Sequence, residues 1–73
     1  MNRKLFEMVF QVTQTLQSGK ERTIKKSVYA ERFVDGRFST HEERLAKAVE
    51  LLKEQHYYHI EYLETKAVSL LMI

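Results

Sequence analysis

Seventy-three residues, 44% hydrophobic and 30% charged, describe one small globular domain spanning residues 1–73 rather than a disordered chain. The net charge of +2 permits a nucleic-acid partner without requiring one. Cysteine is absent, which excludes disulfides and thiolate metal sites. A chain this short buries only about 60% of its unfolded surface, and small domains without such staples often gain stability by pairing with themselves. The N-terminal MNRKLFEMVF lacks the apolar run and cleavage site of a signal peptide. No stretch approaches the ~18 apolar residues that cross a bilayer. By elimination the expected setting is cytoplasmic, with no membrane partner.

In chain order, RKLFEMVFQVTQTLQS (3–18) repeats Leu5, Val9, Val12 and Leu16 at helical spacing. Phe6, Met8 and Phe10 widen the stripe, and Gly19 stands where a helix C-terminal glycine belongs. A first helix is expected, broad enough to meet its own core and a second subunit. Residues 20–37, KERTIKKSVYAERFVDGR, place Ile24, Val28 and Phe33 on a helix face and end at Asp35-Gly36. An alternating strand reading is also open, but Lys26 would interrupt its apolar face, so the helix is preferred. Residues 39–55 read as a third helix. Ser39 with Glu42, or Thr40 with Glu43, forms a capping box, and Leu45, Ala48, Val49 and Leu52 form one face.

After Gln55 the period changes to two. Tyr58, Ile60 and Tyr62 alternate with His59 and Glu61; Val68, Leu70 and Met72 follow the polar Glu64-Thr65-Lys66. This predicts a hairpin. Its second strand is apolar on both faces, and such strands are usually covered on both. With the helices on one side, Leu71 and Ile73, together with Phe6 and Phe10 of the first helix, are the expected homodimer interface.

Little in the chain supports catalysis. The one aspartate, Asp35, sits beside a glycine in an apparent turn, and no serine has a histidine and carboxylate at motif spacing. His56 and His59 straddle a junction where shared metal ligation fails. No enzyme, metal or cofactor is expected. The basic charge gathers in residues 20–37, where six cations face three carboxylates for +3. Such a cluster either neutralises phosphates or is simply a solvated face.

Three helices followed by a hairpin resembles a winged helix-turn-helix, an α+β fold. ERLAKAVELLKEQHYYHIEYLETKAVSLLMI is similar to the second half of such domains, with TIKKSVYAERF as the second helix and VDGRFST as the turn. The resemblance covers most of residues 3–73 and rests on pattern, without a signature word. It implies a dimeric transcription regulator on double-stranded DNA. Thr40, His41, Arg44 and Lys47 would lie at the major groove, Arg44 on guanine, with Lys25, Lys26 and the wing Lys66 on phosphates. The outward face of the third helix carries Glu43, Lys47, Glu50 and Glu54, and carboxylates repel phosphate. The alternative is therefore a small interaction or inhibitor module that engages a partner protein through its apolar helix or C-terminal strand.

Overall fold

A computed structural model describes residues 2–71. Its elements run β1 (Asn2–Thr15), β2 (Glu21–Glu31), β3 (Phe33–Val34), β4 (Arg37–Phe38), α1 (His41–Glu54) and β5 (Tyr58–Leu71). β1 is the central strand, antiparallel to β2 on one side and β5 on the other; β3 and β4 form a separate small hairpin. One helix against a mostly antiparallel sheet replaces the expected three helices and terminal hairpin, so the winged-helix arrangement is not this fold.

The first expected helix is β1. The apolar residues that seemed to share a helical stripe divide between two strand faces: Leu5 and Val9 on one, Val12 on the other. Phe6, Met8, Phe10 and Val12 occupy alternate positions, and Met8, Phe10 and Val12 are fully buried. Aromatic and β-branched side chains suit such a surface. Gly19, at φ +87°, is not a helix cap but part of the tight β1–β2 turn, where its amide donates to the Leu16 carbonyl at 2.9 Å.

The segment expected as a second helix is β2 followed by the β3–β4 hairpin. Ile24, Val28 and Ala30 alternate on the core side, packed against the buried cluster. Lys26, which counted against a strand, lies among them with its ammonium 5.7 Å from the centre of the Tyr57 ring. A long lysine stem can lie on apolar surface while its head finds an aromatic face. Asp35 (φ 51°) and Gly36 (φ 77°) form the two-residue loop between Val34 and Arg37. Asp-Gly with both residues at positive φ is a strong hairpin signal, and here it ends no helix.

The third expected helix stands as α1. Of the two capping boxes, the chain uses Thr40–Glu43: the Thr40 hydroxyl accepts from the Glu43 amide, and the Glu43 carboxylate accepts from the Thr40 amide. At the other end, Tyr57 N–H bonds Leu52 O and His56 N–H bonds Lys53 O, closing the helix with His56 at φ 68°. Ala48 and Leu52 meet Met8, Phe10 and Val12 in the core, with Leu45, Val49, Tyr57 and Ile60 packed around them. The expected terminal hairpin is one continuous strand. β5 follows β1 past Glu64-Thr65-Lys66 without turning, because its partner is itself 14 residues long and the segment holds no glycine or asparagine to reverse it.

The shape follows from these lengths. A 14-residue strand extends about 46 Å, whereas 14 helical residues rise about 21 Å. The molecule measures 44 × 28 × 19 Å, so α1 covers less than half the sheet's length. Its radius of gyration is 14.1 Å, against about 11 Å for a compact domain of this length.

Candidate interaction surface

The sheet has two edges, β2 and β5. β5 shifts register against β1 twice, between Val9 and Phe10 and between Gln11 and Thr13, and His59 takes φ 50°. Bulges of this kind bend a strand and spoil its outer edge as a template for pairing. β2 keeps one register with β1 from Leu5↔Glu31 to Thr15↔Glu21. The Leu16 amide donates to the Lys20 carbonyl at 2.7 Å, which continues that register into the turn. Hydrogen-bonded pairs alternate along an antiparallel ladder. The even-numbered residues of β2 therefore bond to β1, and Thr23, Lys25, Ser27 and Tyr29 turn their amides and carbonyls outward. No strand among the described residues lies beside them.

Next to the C-terminal half of this edge lies a groove of about 610 Å³ between β2, α1 and the β3–β4 hairpin. Val28 and Ala30 line its β2 side, Leu51 and Arg44 its helix side, and Phe33 and Val34 its hairpin side. Phe33 is 49% exposed and stacks on Phe38, which is 71% exposed, with ring centres 4.5 Å apart. The N-terminal half of the edge is basic: Lys20, Arg22, Lys25 and Lys26 against Glu21.

The hairpin wall is held by polar contacts. Ser39 is buried; its hydroxyl lies 2.8 Å from the Glu31 carbonyl and 3.1 Å from that of Arg32, and accepts from Arg44 Nη1 at 2.8 Å. The Arg32 and Arg44 guanidinium carbons lie 4.9 and 4.2 Å from the centre of the Phe6 ring. Arg37 of β4 makes a two-pronged contact to Glu43, at 2.8 and 2.9 Å. That contact first, then the Thr40 amide and hydroxyl, holds the Glu43 carboxyl down to about 2. The same partner raises the Arg37 pKa.

The residues expected to meet DNA do not converge. Lys25 and Lys26 are consecutive in a strand and point to opposite faces. The Thr40 hydroxyl caps α1, His41 sits edge-on to Tyr62 at 5.4 Å, and Arg44 is committed to Ser39 and Phe6. Lys47 lines the groove, while Lys66 lies on β5 paired with Glu64 at 3.3 Å. Of the expected dimer residues, Phe10 is fully buried within its own chain and so has no surface left for a partner. Phe6 is half-buried beneath the two guanidinium groups. The Leu71 side chain and Ile73 lie outside the described residues. The β2 edge itself was not anticipated; the alternation of Ile24, Val28 and Ala30 and the Asp35-Gly36 pair were its signals.

No group of three or more histidine, aspartate or glutamate side chains among the described residues is placed to hold a metal. No helix among them is long and apolar enough to cross a membrane. Comparisons with protein-family models, with characterised proteins and with solved structures gave no match.

Proposed function

We propose that the chain works by holding another protein along β2. An extended segment of the partner adds a strand to the outer edge, and its alternate side chains enter the groove floored by Val28 and Ala30. Main-chain hydrogen bonds give such strand addition its affinity, and side-chain pockets give it selectivity. One observation carries this reading: among the described residues, the edge of the three-stranded sheet that keeps one register throughout is the one that borders a groove lined by Val28, Ala30, Phe33 and Val34 together with the charged Arg44 and Lys47. A second copy of this chain is one such partner.

Selection from a displayed library of 12-residue peptides, against protein immobilised too sparsely for copies to meet, tests the reading. Enriched peptides should share an alternating apolar pattern. They should lose binding to Ser27→Pro, which deletes an outward amide, and to Phe33→Glu. Enrichment of no pattern, or binding indifferent to both substitutions, would defeat it. Binding to duplex DNA keeps one observation in its favour, the basic N-terminal half of β2. A mobility shift abolished by Lys25→Glu with Lys26→Glu would support that second reading instead.

A further inference from the structure

The outer edge of β2 is open over part of its length. The alternation set at the β1–β2 turn points Thr23, Lys25, Ser27, Tyr29 and Glu31 outward. The Glu31 carbonyl is already taken, because the buried Ser39 hydroxyl donates to it at 2.8 Å. The Ser39 amide donates to the Arg32 carbonyl, also at 2.8 Å. The returning chain thus closes that end of the edge. Thr23 to Tyr29 remains, a stretch of about 23 Å with no described strand beside it. A strand added there ends opposite Tyr29.

The two ends of the open stretch differ in charge. Residues 20–26 hold Lys20, Arg22, Lys25 and Lys26 against Glu21, four cations less one carboxylate, or +3. Among the described residues no carboxylate pairs with Lys25. Lys26 has its ammonium 5.7 Å from the centre of the Tyr57 ring, a contact that leaves its charge in place. At the other end, Val28 and Ala30 run into the groove walled by Phe33, Val34 and Leu51. Around that groove three cations, Arg37, Arg44 and Lys47, offset three carboxylates, Glu31, Asp35 and Glu43. The edge therefore passes from a basic end to a neutral, apolar one. Opposite charges across a strand pair stabilise it and like charges oppose it. A second copy offering its own β2 would bring Lys25 and Lys26 back to the same stretch, cation beside cation. Duplex DNA matches the charge but has no main chain to extend the ladder.

We propose that the occupant of this edge is an extended segment of another protein, acidic at one end and apolar at the other. The proposal rests on β2 as the working edge and adds the chemistry of what it holds. The carboxylates lie beside Lys25 and Lys26. Those lysines stand on opposite faces of the sheet, and successive side chains of the added strand reach both faces. The apolar end stops at Tyr29 and turns a side chain into the groove beside Val28 and Ala30. Ser39 acts as the stop. It shuts the edge where the sheet gives way to the hairpin, and so keeps the acidic end over the cations.

Labelled nine-residue peptides test this on the full chain by fluorescence anisotropy. All carry Val-Thr-Val-Thr-Val. Four glutamates, four serines or four lysines stand before it or after it, so both strand directions are sampled. One glutamate peptide should bind about tenfold tighter than its serine counterpart, the combined effect of several cross-strand charge pairs. The lysine peptides should bind weakest, and added salt should narrow the gap. Lys25→Glu with Lys26→Glu should reverse the order, so that a lysine peptide binds tightest; lost folding does not produce such a gain. Lys66→Glu on β5 should leave the order unchanged. With the glutamate peptide bound, amide exchange should slow at Lys25, Ser27 and Tyr29 and stay as it was at Glu31.

Glutamate and serine peptides that bind alike overturn the acidic partner and leave the edge reading standing. So does an order that the double lysine substitution fails to reverse. Exchange that slows at Glu31 as well overturns the stop. Peptide binding with no slowing along β2 defeats the edge reading, and the proposal with it. A chain that binds none of the six peptides overturns the proposal outright; dimerisation would then point to a second copy, and a duplex-DNA complex to nucleic acid.

Discussion

The core under α1 and the β3–β4 hairpin are both built on aromatic rings, yet they treat them oppositely. Phe10 is fully enclosed by Met8, Val12, Ala48 and Leu52, and touches Tyr62 edge-on at 5.7 Å. Phe33 and Phe38 stack on each other and stay 49% and 71% exposed. The difference lies in what stands behind each ring. Phe10 sits on the central strand beneath the helix, where three elements converge. The hairpin is two residues wide on each side, and it is tied to the rest through Ser39 and the Arg37–Glu43 contact. Apolar area in the first place holds the fold; in the second it is left for something else to cover.

The sharpest way to break the comparison is to shorten a ring in the core. Phe10→Ala should cost about 3–5 kcal/mol, the usual toll of a large cavity. For a domain this small that approaches the whole stability. Denaturant melting should show a midpoint near zero or no cooperative transition at all. A variant that loses under about 1 kcal/mol would mean that the core relaxes around the gap and is not the tightly packed unit described.

The next test falls on the joint between the two regions. Ser39 bridges the end of β2 to Arg44 through one hydroxyl. Ser39→Ala leaves buried partners unsatisfied and should cost about 1–3 kcal/mol. Hydrogen exchange should quicken through β3 and β4 while the amides of β1 stay protected. Uniform quickening would show that hairpin and core open together, and the distinction between them would fail.

How far the sequence revealed these regions depends on which physical signal each residue sends. α1 was readable to its capping box, because the cap chemistry at Thr40 and Glu43 is local and the helix period is unambiguous. β1 was misread because a central strand buried on one face and half-covered on the other spreads apolar residues over both. Leu5, Val9 and Val12 then fall at helical spacing by coincidence. Propensity and period disagreed there, and the tertiary pairing with two neighbours decided the outcome. β2 turned on Lys26, whose exemption comes from Tyr57, distant in sequence and not visible from local pattern. The groove needed three elements in place at once, so no local pattern could have shown it. Its Asp35-Gly36 turn was legible and was read as a stop instead of a reversal.

A milder test uses pH. Glu43 is held near 2 from an ordinary 4.5, chiefly by Arg37. A carboxyl lowered on folding adds stability above its unfolded value and loses it as pH falls through its folded value. The contribution should therefore be complete above about pH 4.5 and fade toward pH 2. The carboxylate is solvent-exposed, so salt should weaken the effect. Melting temperatures of wild type and Glu43→Gln should differ at neutral pH and converge between those limits. A gap that persists at pH 2 would assign the difference to the Thr40 cap rather than to the charge that ties the hairpin to α1.

The smallest stability effect belongs to Phe38, and it bears most directly on function. Its ring is 71% exposed and does not line the groove, but it backs Phe33, which does. Phe38→Ser should shift stability by no more than about 0.5 kcal/mol, as exposed substitutions usually do. If the hairpin is a wall for a bound strand, losing that backing should leave Phe33 mobile and weaken peptide capture several-fold at an unchanged melting temperature. The two readouts separate the alternatives. A loss in melting temperature would place the ring pair with the core, as part of what holds the fold. Unchanged capture would leave the exposed pair without a role in the groove, and the contrast between the two aromatic clusters would be one of burial alone.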